Sequence, residues 1–439
     1  MSAPPVPWSL ATVAIAAGLT LTVPAISAEA NQPRKAPVAV AVAKKAPAPA
    51  QSKAADDPTR QPYTAEEMAK AQLPGREGGR FFADSVEAYQ AAVAPAAKVG
   101  GPWLVLSGGG EGGAFGAGLL NGWTKSGSRP TFSVVTGSST GALIAPLAFA
   151  GPKYDDALRA AYTDVSAGDI FEFGATPQSL LDTWPFQRLI ERFVTPELLA
   201  DIAEGHREGR RLFVLTTNVD SQRPVAWDLG AIAAAPGPQA LKLFRKVLMA
   251  SSAIPGLFPP VGIELEAEGK VFKEMHVDGS VAAPFYIVPE AAIAKNIALP
   301  ALQRATIYVV VNNNLAPEFQ YTDKTTVDVL GRALSVGMKT ATRVLVAATR
   351  AYADANDVDL LFGSFDDTVA PPSTGLFNRK YMNTLFEIGQ TAALQGEAFT
   401  AEARTPEPPP ATAGAGEKHA ARAQPGAAPP APFRASSLP

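Results

Sequence analysis

The stretch FSVVTGSSTGALIAPLAFA, residues 132–150, decides the fold. Residues 132–135 predict a short buried strand, and the apolar run that ends the stretch predicts a helix. Between them, Gly137, Ser139 and Gly141 form the pattern G-x-S-x-G. In a sharp strand-to-helix turn this pattern lifts the central serine clear of the sheet, and the glycines keep side chains away from its flanks. An ordinary glycine turn would also explain the pattern, but the strand–turn–helix context favours a nucleophilic serine.

The same alternation of strand and helix recurs along the chain. Further apolar strands are predicted at residues 103–106, 212–216 and 306–311. Helices are predicted at residues 116–123, 177–194, 239–249 and 325–354. Strands that alternate with helices predict an α/β fold, with a mostly parallel central sheet covered by helices on both faces.

A second glycine-rich turn, residues 107–113, lies between the strand at 103–106 and the next helix. Such a turn presents backbone N–H groups to an anion, either a phosphate or the oxyanion of a tetrahedral intermediate. No Lys-Ser/Thr pair follows, so the turn is not a P-loop. Gly108, Gly110 and Gly113 fit G-x-G-x-x-G loosely, but the next strand runs into the serine turn and supplies no acidic residue for a dinucleotide ribose. These observations favour the oxyanion interpretation over a nucleotide-binding module.

A nucleophilic serine needs a base, and the chain has only three histidines. His419 lies in a Pro/Ala-rich tail, and His206 lies in a polar run that predicts a solvated surface. His276 stands two residues before Asp278, which is an awkward geometry for a Ser-His-Asp triad. Asp278, in an Asp-Gly turn, would serve as the base of a Ser–Asp dyad that needs no histidine.

The order of these motifs resembles the patatin-like phospholipases. The three motifs are the glycine loop, the G-x-S-x-G turn and the Asp-Gly pair that begins at Asp278. The resemblance implies a three-layer patatin-like fold and a serine acyl hydrolase of lipid esters. It also implies that Ser139 is the nucleophile and that Asp278 is its base. Further roles implied are an oxyanion hole at Gly108, Gly109 and Gly110, and a nucleophile elbow bounded by Gly137 and Gly141.

Two more stretches are similar to this family, residues 216–219 and 250–260, and the resemblance spans residues 101–395. The sequence departs from the family at two positions. Gly112 stands where the family usually has Arg or Lys, which leaves a fixed cation beside the oxyanion hole in doubt. Ser280 replaces the second glycine that usually follows the aspartate.

The chain ends differ in composition from the body. Residues 10–23 are apolar and uncharged, and small residues at 28 and 30 suit a signal peptidase, although no Lys or Arg precedes the run. We therefore expect an exported, periplasmic or secreted protein, or a cytoplasmic one if the leader is not a signal. The predicted organisation is a signal peptide (1–30), an Ala/Pro/Lys-rich linker (31–62), a helical N-terminal extension (63–100), a catalytic domain (101–402) and a disordered Pro/Ala-rich tail (403–439).

The composition excludes several chemistries. The 439 residues include no cysteine, which removes disulfides, thiolate catalysis and cysteine-based zinc sites. The formal net charge of −3 predicts no nucleic-acid partner. We expect no metal or organic cofactor, a lipid or acyl-ester substrate, and contact with a membrane surface as a candidate interaction. A non-lipid esterase or thioesterase, and a catalytically silent lipid-binding relative, remain open as alternatives.

Overall fold

The structure is a computed structural model that describes residues 60–75, 78–174, 179–317, 319, 321–366 and 376–403. The predicted signal peptide, most of the linker and nearly all of the tail lie outside the described residues.

The described residues form eleven strands and twelve helices. The strands are β1 (Arg80–Phe82), β2 (Trp103–Leu106), β3 (Val134–Ser138), β4 (Glu172–Phe173), β5 (Leu181–Asp182), β6 (Arg211–Asn218), β7 (Arg223–Asp228), β8 (Val261–Ala267), β9 (Lys270–Asp278), β10 (Thr306–Val311) and β11 (Asp359–Ser364). The helices are α1 (Ala65–Lys70), α2 (Val86–Val99), α3 (Gly113–Lys125), α4 (Thr140–Ala150), α5 (Asp155–Thr163), α6 (Trp184–Phe193), α7 (Pro196–Arg207), α8 (Leu229–Ala234), α9 (Pro238–Ser251), α10 (Glu290–Ala294), α11 (Thr326–Ala355) and α12 (Arg379–Leu394).

A nine-stranded sheet forms the centre, in the order β1-β7-β6-β3-β2-β10-β11, with β9 paired to β6 and β8 paired to β9. Five neighbouring strands of this order, β6, β3, β2, β10 and β11, are parallel to one another. Every residue of β2 and β3 is buried, as expected for strands covered on both faces. One apolar cluster, which includes Phe115 and Phe149, packs on one face, and a second, which includes Tyr89 and Val346, packs on the other. The predicted α/β fold, with helices on both faces of a mostly parallel sheet, is confirmed.

One side of the sheet is antiparallel, which the sequence patterns did not predict. β7 pairs with β6, and the hairpin of β8 and β9 joins β6 through β9. These strands contain charged residues, such as Lys273 and Glu274, that break the apolar runs from which strands were predicted. Their pairing depends on partners far away in the sequence.

The segment before β2 also differs from its prediction as a helical extension. It contains α1 and α2, but between them β1 pairs antiparallel with β7 at the edge of the sheet. The predicted helix at 177–194 is wrong at its start, because β5 pairs with β4 and α6 begins only at Trp184. Pro185, at the second position of α6, suits a helix start.

Candidate active site

The register of the sheet brings Ser139 and Asp278 together. β3 runs parallel to β6 and ends at Ser138, opposite Leu215. β9 approaches from the other direction and ends at Asp278, opposite Thr216, the next residue of β6. The two strands therefore meet end to end along the same side of β6. At this junction the Ser139 hydroxyl donates a 2.5 Å hydrogen bond to Oδ2 of Asp278.

Ser139 occupies a sharp turn between β3 and α4. Its backbone has φ 53° and ψ −122°, a conformation that non-glycine residues rarely adopt. The two flanking glycines are required by close approach: a Cβ on Gly137 would lie 2.4 Å from the carbonyl oxygen of Gly141, and a Cβ on Gly141 would lie 2.3 Å from that of Leu106. The N-terminus of α4, which carries a partial positive charge, begins at the next residue.

Ser251, at the end of α9, holds this turn in place. Its hydroxyl accepts a 3.1 Å hydrogen bond from the backbone N–H of Ser139 and donates one of 2.6 Å to the carbonyl of Leu215. The N–H of Ser139 is thereby occupied. Sequence reasoning singled out the stretch 250–260 as similar to the family but did not identify this role, because no local rule connects Ser251 to a turn 112 residues earlier.

The carboxyl of Asp278 is fully buried. One oxygen accepts from Ser139, and the other accepts a 2.8 Å bond from the backbone N–H of Ser280. Burial raises the pKa of Asp278 from 3.8 to about 6, although these hydrogen bonds act in the opposite direction. The backbone carbonyl of Asp278 accepts from the hydroxyl of Thr217, which fixes the end of β9.

The histidines lie apart from this pair or outside the described residues. His276 is buried, and its ring bonds with the hydroxyl of Thr216 and the carboxylate of Glu274. Burial lowers the pKa of His276, and Glu274 acts in the opposite direction. The predicted solvated surface is found at Arg207 and Glu208, which are exposed, but His206 is partly buried beside Asp228, at 3.6 Å. His419 is outside the described residues.

The glycine loop lies against the serine turn. A Cβ on Gly108 would lie 3.2 Å from Cβ of Ser139 and 2.0 Å from the hydroxyl oxygen of Ser280, so only glycine fits. The N–H of Gly108 donates to the carbonyl of Pro284 at 2.9 Å, so this N–H is already bonded, and the place of Gly108 in the oxyanion hole stays a prediction. Among the turn and loop bonds of the described residues, the N–H groups of Gly109 and Gly110 donate to no backbone carbonyl.

Asn312, just after β10, fixes the start of this loop. Its side-chain amide donates to the carbonyl of Ser107, and its backbone N–H donates to the Ser107 hydroxyl, both at 2.8 Å. A Cβ on Gly112 would lie 2.1 Å from the carbonyl oxygen of Asn312. The position where the family usually has a cationic residue is therefore closed to any side chain in this protein.

An apolar pocket of about 90 Å³ opens beside Ser139 and Gly110. Its walls include Leu143, Leu147, Ile170, Phe186, Phe193 and Phe258. Five apolar residues lie in segments that the sequence predicts to flank the site, where they could line an acyl channel: Phe115, Phe171, Phe173, Leu257 and Phe258. Of these, Phe258 lines the pocket, Phe171 packs its ring against that of Phe258 at 6.3 Å, and Phe115 lies in the core; the side chain of Phe173 is not described. A larger cavity of about 740 Å³, at the opposite edge of the sheet, contains none of the predicted site residues.

The described residues contain no cluster of three or more histidine or acidic side chains placed to hold a metal ion. Within the same residues, no helix combines the length and the apolar character needed to span a bilayer.

One family model and one solved structure match parts of this chain. Residues 104–289 match the family model described as patatin-like phospholipase, which confirms the family predicted from the motifs and supports a lipid acyl hydrolase function in general terms. The crystal structure of VipD from Legionella pneumophila aligns with 67% of this chain and 67% of its own chain, at 10% sequence identity and a TM-score of 0.37. No protein of curated function matches the sequence.

Proposed function

Since residues 104–289 match the patatin-like phospholipase family model, we propose that this protein is a serine hydrolase of lipid esters, with Ser139 as nucleophile and Asp278 as base. The observation that carries the proposal is the direct 2.5 Å hydrogen bond between the two side chains, made where Ser139 lines an apolar pocket. No third side chain stands between them, so the base acts on the nucleophile directly.

In the first half-reaction, Oδ2 of Asp278 accepts the proton of Ser139 Oγ while Oγ attacks the ester carbonyl carbon. The N–H groups of Gly109 and Gly110 donate to the oxyanion, and each lowers the barrier by about 3 kcal/mol. The intermediate collapses, the bond to the alcohol breaks, and the alcohol leaves with the proton from Asp278. Ser139 keeps the acyl group.

In the second half-reaction, a water attacks the acyl carbonyl carbon as Asp278 accepts a proton from that water. The bond to Ser139 Oγ breaks, Oγ regains the proton, and a carboxylic acid is released. Because the pKa of Asp278 is raised to about 6, this carboxylate is a stronger base than an ordinary aspartate and is still mostly ionised at neutral pH.

The apolar walls of the pocket indicate that the protein recognises the acyl chain of its substrate. Its walls next to Ser139 are formed mainly by aliphatic and aromatic side chains, which favour hydrocarbon over a polar leaving group. The same chemistry would cleave a non-lipid ester or a thioester. The substrate class is therefore decided by comparing the rates at which the protein hydrolyses these compounds and lipid esters.

The experiment compares p-nitrophenyl esters of increasing chain length, an acyl thioester and phospholipid vesicles. Ser139→Ala and Asp278→Asn should each lower kcat/KM by at least about a thousandfold while the proteins stay folded. Ser133→Ala is the matched control, because its hydroxyl is buried and bonded to the Gly101 carbonyl at the other end of β3. A folded wild type that is inert on every substrate, or a Ser139→Ala variant of undiminished rate, would leave the lipid-binding relative as the better description.

We also propose that the chain is exported, on the strength of its apolar leader. Mass spectrometry of the protein from its native cell envelope should find Asn31 as the first residue. An intact N-terminus on protein recovered from the cytoplasm would contradict export.

A further inference from the structure

Helix α4 begins beside the nucleophile, so its residues measure how far the apolar pocket extends. Thr140, Leu143 and Leu147 line the pocket at spacings of three and four, which places them on one face of the helix. From Ser139 to Leu147 the helix rises by about 12 Å, at 1.5 Å per residue. The pocket therefore follows α4 from the nucleophile over that length.

Helix α6 lines the pocket over a similar length. Phe186, Leu189, Ile190 and Phe193 belong to the wall, again at the spacing of one helix face. The rise from Phe186 to Phe193 is about 10 Å. Walls of similar length on two helices are expected for a channel and not for a shallow bowl.

The polar groups of the pocket lie at its reacting end. Thr140 comes directly after Ser139, and its hydroxyl is bonded to that of Tyr162 at 2.6 Å. Ser252 directly follows Ser251, which holds the turn of the nucleophile. Among the described residues that line the pocket, no other side chain carries an oxygen or a nitrogen. An ester carbonyl would therefore meet the polar end, and the rest of the pocket would contact only hydrocarbon.

The exposure of the α4 side chains falls along the pocket. Leu143, about halfway, is partly exposed, whereas Leu147 is only 4% exposed. Leu147 is also the last residue of α4 in the wall. The pocket therefore ends inside the protein on this side, against the side chain of Leu147.

These dimensions fit one straight hydrocarbon chain. The pocket offers about 90 Å³ to the centres of water-sized groups, which over a length of about 12 Å is a cross-section of about 7.5 Å². A space of that width admits a single unbranched chain. An extended chain advances by about 1.2 Å per bond, so about ten carbon atoms reach from Ser139 to Leu147.

We propose that the pocket selects esters of one unbranched, medium-length acyl chain, of about ten carbons, and that Leu147 sets the upper limit. The proposal rests on the ester-hydrolase function argued above and names the acyl group of its substrate. The carbonyl carbon lies at Ser139 Oγ, the methylenes run along α4, and the terminal methyl contacts Leu147. A longer chain meets a buried side chain and gains no further contact.

The experiment measures kcat/KM of the full chain on straight-chain p-nitrophenyl esters from butanoate to hexadecanoate, each below its critical micelle concentration. In the wild type, kcat/KM should rise by up to about fourfold per carbon, which corresponds to about 0.8 kcal/mol for each buried methylene. It should reach its maximum near decanoate and fall for longer chains.

Two substitutions should move this maximum in opposite directions. Leu147→Ala removes most of the side chain at the end of the pocket and should move the maximum by about two or three carbons toward longer chains. Leu143→Phe places a ring about 6 Å from the nucleophile and should move it down to about five or six carbons. Leu143 is partly exposed, so this second variant tests the same limit even if Leu147→Ala does not fold.

The matched control is Ile144→Ala. Ile144 lies on the same helix and is fully buried, but it does not line the pocket. Its truncation costs comparable stability and should leave the maximum near decanoate. An equal shift in Ile144→Ala and Leu147→Ala would overturn the proposal.

Calorimetric binding of straight-chain fatty acids to Ser139→Ala supplies a measurement that needs no hydrolysis and should show the same limit. The same maximum in wild type and both pocket variants would overturn the proposal, as would a wild-type rate that still rises beyond dodecanoate. Hydrolysis of esters with no limit on chain length would refute this inference and leave the proposed function intact. A protein that hydrolyses no ester, but binds fatty acids with the limit near decanoate, would refute the proposed function alone.

Discussion

Replacing Asp278 with asparagine should abolish hydrolysis and also make the folded protein more stable at neutral pH. The folded protein holds the proton on Asp278 more tightly than the unfolded chain does, because burial raises the pKa from 3.8 to about 6. Asparagine resembles the protonated acid. Its oxygen can keep the bond from the Ser280 N–H, and its amide can donate to the Ser139 hydroxyl, so no buried partner is lost.

The magnitude follows from linkage between ionisation and folding. A pKa difference from 3.8 to about 6 corresponds to about 3 kcal/mol, at 1.36 kcal/mol per pKa unit. The contribution of Asp278 to stability is fully present below pH 3.8 and is lost as the pH rises through about 6. Asparagine does not ionise and escapes this loss. Asp278→Asn should therefore gain about 3 kcal/mol at pH 7.5 and only about 1 kcal/mol at pH 4.5.

Urea unfolding followed by circular dichroism at both pH values measures this gain. Asp156→Asn is the matched control, because its carboxyl is almost fully exposed and its loss should change the stability little at either pH. A variant less stable than wild type at pH 7.5, or one whose gain does not depend on pH, would refute the argument that Asp278 pays a desolvation cost when ionised.

Three further outcomes are expected. On a soluble ester, kcat/KM should fall about tenfold per pH unit below pH 6, since Asp278 must be ionised to act as base; a flat profile to pH 4.5 would contradict this. His276→Gln should keep kcat within about threefold, because His276 contacts neither member of the dyad, and loss of activity in a folded variant would point to a histidine base. Gly108→Ala should lower both kcat and the melting temperature through its clash with Ser280, and Ser280→Gly in the same chain should restore much of both. The last pair is measured as a double-mutant cycle, and additive losses would contradict the clash.

The central strands could be predicted from the sequence because they carry their own signal. The strands predicted at 103–106 and 306–311 have the bounds of β2 and β10. Each is a continuous, mostly apolar run with glycine or polar residues on either side, so its ends are visible in the sequence. The antiparallel strands carry no such signal. In β9 the buried Glu274 is paired with Arg80, 194 residues earlier, and no local pattern predicts that partner.

In the proposed site, too, some residues carry a local sequence signal and others do not. Ser139 and Asp278 were identified because a G-x-S-x-G turn and an Asp-Gly pair are short motifs with a mechanical reason for their spacing. The backbone donors could not be assigned from sequence, because glycine identity does not say whether an N–H is already bonded. Gly108 is bonded to the carbonyl of Pro284. The support from Ser251 likewise depends on where separate segments meet.

The pairing of β1 with β7 bears on how this protein can be cut for study. The family match begins at residue 104, after β1, and ends at residue 289, before β10. A fragment with those limits would lack β1, which pairs with β7, and β10, which pairs with β2. Both sides of the remaining sheet would then present unpaired backbone groups, which recruit strands from neighbouring molecules. The fragment should precipitate, whereas a chain that begins before residue 80 and continues through β11 keeps both margins of the sheet satisfied.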